Sequence, residues 1–252
     1  MLSSVSCLRL TLLLLGGLAA PALRAQAAPP EFRALWVDAF NPGFKTAAEV
    51  RQLVADARRG NFNALIVQMR RRGDTFYNST LEPRAAELAA GFDPLAELLR
   101  EARDTRFGPR LEVHAWIVTY NIWNQQNTLP PQANHPYRLH PDWLTENHAG
   151  QRWGGGNYAF DPAHPAVQEH TVRVALDLVT RYDVDGFHWD YIRYNGREWG
   201  YNPVAVQRFQ RRTGRPDRPA PDDAAWLRFR RDEVTALVRR TYLELLARRP
   251  AL

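Results

Sequence analysis

Asp185-Gly186-Phe187-His188-Trp189-Asp190-Tyr191-Ile192-Arg193-Tyr194 is the stretch from which the fold can be read. A glycine opens an apolar run in which His188 and Asp190 fall two residues apart. On a strand such residues project from one face. A core face would ordinarily carry Val, Ile and Leu, so a histidine and a carboxylate there need a reason. The same departure recurs upstream. Ala34, Trp36 and Asp38 share a face within Phe32–Phe40, Gln68 and Arg70 share one at the end of Asn61–Arg70, and His114 and Trp116 share one within Leu111–Thr119. Four strand candidates therefore carry polar or aromatic residues on one face toward their C-terminal ends. Parallel barrels assemble their sites at that end from several strands, and one shared pocket is expected.

Between these runs lie helical patterns. Ala47–Arg59 places Val50, Leu53, Val54 and Ala57 at helical spacing, and Asp93–Ala102 opens with a cap and a first-turn proline, Asp93-Pro94. Pro165–Tyr182, Val204–Thr213 and Asp223–Arg248 are further helices, the last two separated by the Pro-rich turn Gly214–Pro221. Strand alternating with helix at this spacing indicates parallel βαβ units. A doubly wound sheet and a (β/α)8 barrel both fit, and the placement of the polar residues favours the α/β barrel of TIM type. Asn121–Asp161 is expected to be a long loop, unusual without a function. It carries Trp123, Tyr137, Trp143, Trp153 and Tyr158, rings that either stack on pyranose faces or pack on the barrel rim. Asp161-Pro162 closes it, with Asp161 expected as a cap.

The 252 residues are 45% hydrophobic and 24% charged, which excludes collagen-like, coiled-coil and disordered chains. The net charge is +6, from 33 Lys and Arg against 27 Asp and Glu, and Lys45 is the only lysine. The arginines are spread along the chain, and no zinc-finger spacing, Walker loop or dinucleotide glycine fingerprint is present, so a nucleic-acid partner has little support. Polyanion binding stays open. Residues 1–27 read as a secretion signal: Arg9, the apolar run Leu10–Ala20, then Ala25-Gln26-Ala27. That run is roughly half the ~20 residues of a membrane span. An exported chain, periplasmic or extracellular, is expected, and cleavage would remove Cys7, the single cysteine.

Asp190 is the candidate catalytic carboxylate, kept ionised by His188 and Arg193. A fixed carboxylate among aromatic rings suits an oxocarbenium-like sugar centre. Asp38, Arg70, Asp74, Tyr77, His114, Trp116, Tyr158, His188, Tyr191 and Arg193 are the candidate substrate contacts. For Arg70 and Asp74 the alternative is a solvated Arg70-Arg71-Arg72-Gly73-Asp74 loop, and for His114 a hydrogen-bonded core histidine. No cofactor is expected. A metal-dependent hydrolase using His114, His188 and Asp190 is the weaker reading, since no compact zinc-type spacing occurs. Asp185 is expected to cap the turn before its strand. Asn78-Ser79-Thr80 fits a glycosylation acceptor.

Phe32–Val37, Phe62–Arg70 with Gly73-Asp74 and Leu81-Glu82-Pro83, Leu111–Trp116 and above all Asp185–Tyr194 resemble the glycosyl-hydrolase-like family 10 proteins, which are bacterial and mostly exported. The resemblance runs from about Glu31 onward. It implies a (β/α)8 barrel and hydrolysis of glycosidic bonds, with cell-wall glycan strands as the leading substrate class. It supports Asp190 as a catalytic carboxylate and carries Arg70, Asp74, His114 and Trp116 over as pocket residues. Where family members often have Asn-Pro-Tyr after the third strand, Val118-Thr119-Tyr120 stands here. The resemblance also implies a barrel continuing past Leu252, so residues 28–252 are expected to be its N-terminal half, about four βα units, with the second carboxylate on a later strand. A non-catalytic glycan-binding barrel is the alternative.

Overall fold

The computed structural model describes residues 31–252. The segment read as a secretion signal, including Cys7, lies outside the described residues. In chain order the elements are β1 (Ala34–Val37), α1 (Ala47–Arg59), β2 (Ala64–Arg70), α2 (Pro94–Arg103), β3 (Glu112–Val118), β4 (Asn121–Trp123), α3 (Pro136–Leu139), β5 (Tyr158–Ala159), α4 (Pro165–Arg181), β6 (Gly186–Asp190), α5 (Pro203–Thr213) and α6 (Ala224–Arg248). Strands β1, β2, β3 and β6 make one sheet in that order, all parallel. These are four successive βα units of a (β/α)8 barrel.

The helices start where the local chemistry starts them. The Thr46 hydroxyl accepts the Glu49 N–H at 3.2 Å ahead of α1, and the Asp93 carboxylate accepts the Ala96 N–H at 3.1 Å ahead of α2. Pro94 and Pro165 occupy first-turn positions, where the missing N–H is harmless. The apolar stripe of α1 (Val50, Val54, Ala57) and that of α2 (Leu95, Leu98, Ala102) are buried in one core with Leu65, Val67 and Met69 of β2 and Val113, Ala115 and Ile117 of β3. All of these strand residues belong to the sheet's outer face.

The other face is the barrel's inner one. Register places Trp36 beside Ile66, Ile66 beside His114 and His114 beside Gly186, with Gln68, Trp116 and His188 forming the next row. Gly186 is required here, because a Cβ would fall 2.0 Å from His114 Nδ1. Parallel sheets are normally covered on both faces. Trp36 nevertheless remains 66% exposed, since among the described residues the helices pack on the outer face.

Three expectations need correction. The strand expected over Gly186–Tyr194 ends at Asp190, because Tyr191 turns to a left-handed φ of 49°. The stretch 121–161 is not one long loop. Its β4 and β5 pair antiparallel, and Tyr120, Ile122, Leu144 and Phe160 build a second small core with Val167 and Val172 of α4. Asp185, expected as a turn cap, instead accepts the Val113 N–H at 2.8 Å and pairs with Arg110, tying β6 to the start of β3. No helix among the described residues is long and apolar enough to cross a membrane.

Candidate active site

Asp190 ends β6 on the open inner face. Its Oδ2 accepts the indole N–H of Trp116 at 3.1 Å, and its Oδ1 accepts the backbone N–H of Tyr191 at 2.7 Å. The Asp190 carbonyl accepts the Thr119 N–H at 2.8 Å, which locks the strand end to β3. Both carboxylate oxygens therefore have fixed donors, and neither donor is a cation. The Tyr191 N–H can reach Oδ1 because its residue adopts the left-handed conformation, which costs a non-glycine on the order of 1–3 kcal/mol. Such strain gathers where geometry serves a site.

Around this carboxylate the inner face is aromatic. Trp36 lies 5.9 Å from Trp116 and 5.3 Å from His188, and His188 lies 6.4 Å from Trp116, edge to face. Burial, assisted by His114, pushes the His188 imidazole below its ordinary value despite the nearby Asp190. A neutral imidazole, two half-exposed or exposed indoles and one held carboxylate thus converge at the C-terminal rim. His114 sits on the same face, one row below. Its ring meets Glu112 at 3.0 Å and Phe32 edge-on at 5.4 Å, away from the rim. Among the described residues no three His, Cys, Asp or Glu side chains are gathered to hold a metal ion, so His114, His188 and Asp190 do not form a joint donor set.

The remaining candidates divide. Arg70 was expected to face a ligand, but it is 3% exposed. Its guanidinium donates to both oxygens of Glu82, at 2.6 and 2.8 Å, and to the carbonyls of Val118 and Thr119. It clamps the ends of β2 and β3. Tyr77 was also expected at the surface of the site and is instead fully buried in the core against Tyr182. Asp74 is nearly buried, paired with Arg71 and accepting the Arg72 N–H at 3.1 Å. Asp38 accepts the N–H groups of Phe40 and Asn41 at 2.7 and 3.0 Å. Burial opposes its charge, yet these bonds hold it below its ordinary value. It shapes the turn after β1. Arg193 does not pair with Asp190, and stacks 4.3 Å over the exposed Tyr191 ring.

Tyr158 belongs to a run of half-buried rings that sequence spacing could not assemble. Trp123 stacks on Tyr137 at 6.4 Å, Tyr137 meets Tyr158 at 5.0 Å, and Tyr158 meets Trp153 at 4.9 Å. Tyr137, Trp153 and Tyr158 line a groove of about 760 Å³ with Gln126, Gln151 and Arg152. Glu82 was missed as a structural centre, although Leu81-Glu82-Pro83 stood out in the sequence.

Residues 31–252 match the family described as Glycosyl hydrolase-like 10. The chain belongs to that family. Its sequence is 27% identical to Glycosyl hydrolase YngK of Bacillus subtilis over 220 residues, covering 80% of this chain and 38% of that protein. It is 27% identical to Glycosyl hydrolase DigH of Escherichia coli over 148 residues, 53% of this chain and 31% of that one. The chain thus spans well under half the length of these relatives. In fold it is similar to a hypothetical protein of Ruminiclostridium thermocellum, with a TM-score of 0.55 at 14% identity, covering 83% of this chain and 92% of the other. It is also similar to the GH36 α-galactosidase AgaA of Geobacillus stearothermophilus, with a TM-score of 0.53 at 13% identity, over 87% of this chain and 27% of the other. Membership of the glycosyl hydrolase-like 10 family and a barrel fold agree with the inner-face geometry.

Proposed function

We propose that this member of the family belongs to an exported glycoside hydrolase acting on a polysaccharide, with cell-wall glycan strands as the leading substrate, and that Asp190 is its catalytic carboxylate. The observation that carries the reading is the Asp190 carboxylate, fixed at the rim by Trp116 and the Tyr191 N–H within an aromatic inner face. A fixed carboxylate at the rim supports positive charge at an anomeric carbon as the glycosidic bond breaks. Trp36 and Trp116 offer flat apolar faces for a pyranose. The run from Trp123 to Trp153 suits several consecutive sugars, hence a polymer.

Hydrolysis also needs a proton donor, about 5–5.5 Å from the nucleophile in retaining enzymes and about 6.5–9.5 Å in inverting ones. Among the described residues Asp38, Asp74, Glu82 and Asp161 are each engaged by partners of their own. The same observation favours a second reading, a glycan-binding barrel without turnover. Asp190→Asn separates the two. In the enzyme it lowers glycan-strand hydrolysis at least about a hundredfold while glycan binding persists. Equal turnover in wild type and variant would refute the assignment, and binding with no turnover in either form would support the binder.

A further inference from the structure

The loop after β2 ends in a second feature that the catalytic reading does not use. Arg71, Arg72 and Asp74 line a cleft of about 280 Å³ together with Phe40 from the loop after β1, and Trp123 and Asn124 from the segment after β3. All three segments follow C-terminal strand ends, so the cleft opens on the same rim as Asp190. Its charges are unequally engaged. Arg71 is bound to Asp74 and to Glu87, the latter at 2.7 Å. Arg72 makes no ion pair among the described residues, and its guanidinium lies 4.7 Å over the Phe40 ring.

The arginine is also held in place through its backbone. Its N–H donates to Asp74 Oδ1 at 3.1 Å. The following residue, Gly73, has a φ of 79° and packs so closely on His135 that a Cβ would lie 2.9 Å from the imidazole. His135 in turn is buried, takes the Tyr137 N–H on Nδ1 at 3.2 Å, and lies edge-on to Trp123 at 5.9 Å. A half-buried cation with no ion pair among the described residues is thus held over the Phe40 ring, in a cleft that Trp123 and Asn124 also line.

We propose that this cleft is a subsite for a carboxylate carried by the glycan, with Arg72 as its cation. The proposal rests on the reading of the inner face as a glycan site and adds the substrate class, an acidic polysaccharide. A planar guanidinium recognises a carboxylate through paired N–H donors. One cation with no ion pair of its own among the described residues matches the single negative charge of a carboxylate. Trp123 then stacks on the sugar that bears the group, at the start of the aromatic run.

Calorimetric titration of the wild-type chain and of Arg72→Gln tests this, using tetragalacturonate, its methyl ester and neutral chitotetraose. The wild type is expected to bind the acid roughly ten- to hundredfold more tightly than the ester, as a hydrogen bond to a charged group commands. Arg72→Gln is expected to level the two while leaving chitotetraose binding unchanged, which also reports that the variant is folded. A wild type that binds acid and ester alike, or an Arg72→Gln variant that keeps the preference, overturns the subsite and leaves the glycan reading standing. Failure of the wild type to bind any of the three overturns both.

Discussion

Glu82 is the sharpest test of how the rim is built. Its carboxylate is fully shielded from solvent and accepts from Arg70 at 2.6 and 2.8 Å and from His170 at 2.8 Å. Burial alone would raise this carboxyl, but Arg70 and His170 outweigh it and hold the group well below the usual carboxylate range. Glu82→Gln keeps the shape and removes the charge, leaving the buried Arg70 without a counter-charge and with one acceptor oxygen fewer beside the carbonyls of Val118 and Thr119. Breaking one side of a buried pair costs about 3–5 kcal/mol. For a chain of this size that corresponds to a melting temperature about 6–20 °C lower. The pH dependence gives an independent check. A depressed folded-state value means that the contribution is present above the unfolded value of about 4.3 and is lost as the pH falls. The gap between wild type and Glu82→Gln is therefore expected to be widest near neutrality and to shrink on acidification. Thermal unfolding followed by tryptophan fluorescence at several pH values measures both. A shift below about 2–4 °C at pH 7, equivalent to about 1 kcal/mol, would show that Arg70 finds solvent or another partner, and the clamp would be wrong.

Two further outcomes are expected. Trp116→Phe keeps a ring on the inner face but withdraws the N–H from Asp190 Oδ2, so kcat should fall roughly ten- to hundredfold with little change in KM; steady-state kinetics showing an unchanged kcat would mean that the bond does not support the reacting carboxylate. Asp161 is wholly buried, and burial lifts its carboxyl to about 6 despite hydrogen bonds from Ala163, Thr145 and Asn202. Because the folded value is raised, its contribution to stability is complete below about pH 4 and is lost as the pH rises through 6, opposite in sign to Glu82. A carboxyl-carbon NMR titration of Asp161 with its midpoint near 4 would contradict the burial argument.

The alternation of strands and helices and the polar face shared by Trp36, His114, Trp116, His188 and Asp190 were legible because period-two patterning survives in any sheet. The same rule misplaced Arg70. Spacing reports which face a residue occupies, but whether its charge meets a ligand or a partner depends on Glu82, brought back by the turn after β2. Tyr77 failed for the same reason: a loop residue reads as exposed until Thr75, Phe76 and Tyr77 fold inward against the core. The β4–β5 pair escaped notice because each partner is two or three residues long, too short for any periodicity to register. Tyr191 was read as a continuing strand, and only its left-handed backbone reveals that the chain turns to give Asp190 its second hydrogen bond.

That turn bears on why the site sits on an open surface. The outer face of the sheet is closed by α1, α2 and α4, whereas the inner face leaves Trp36 mostly in water. An exposed indole beside Trp116 and His188 is unfavourable for a folded chain on its own, at roughly 25 cal/mol for each Å² of apolar surface left wet. It is favourable if that surface is destined for contact. Whatever covers Trp36 must approach across the same rim on which Asp190 is held, since both lie on the inner face of one parallel sheet, on its edge strands β1 and β6. Under the proposed function, the apolar face that needs a cover and the carboxylate that needs a proton donor are one requirement.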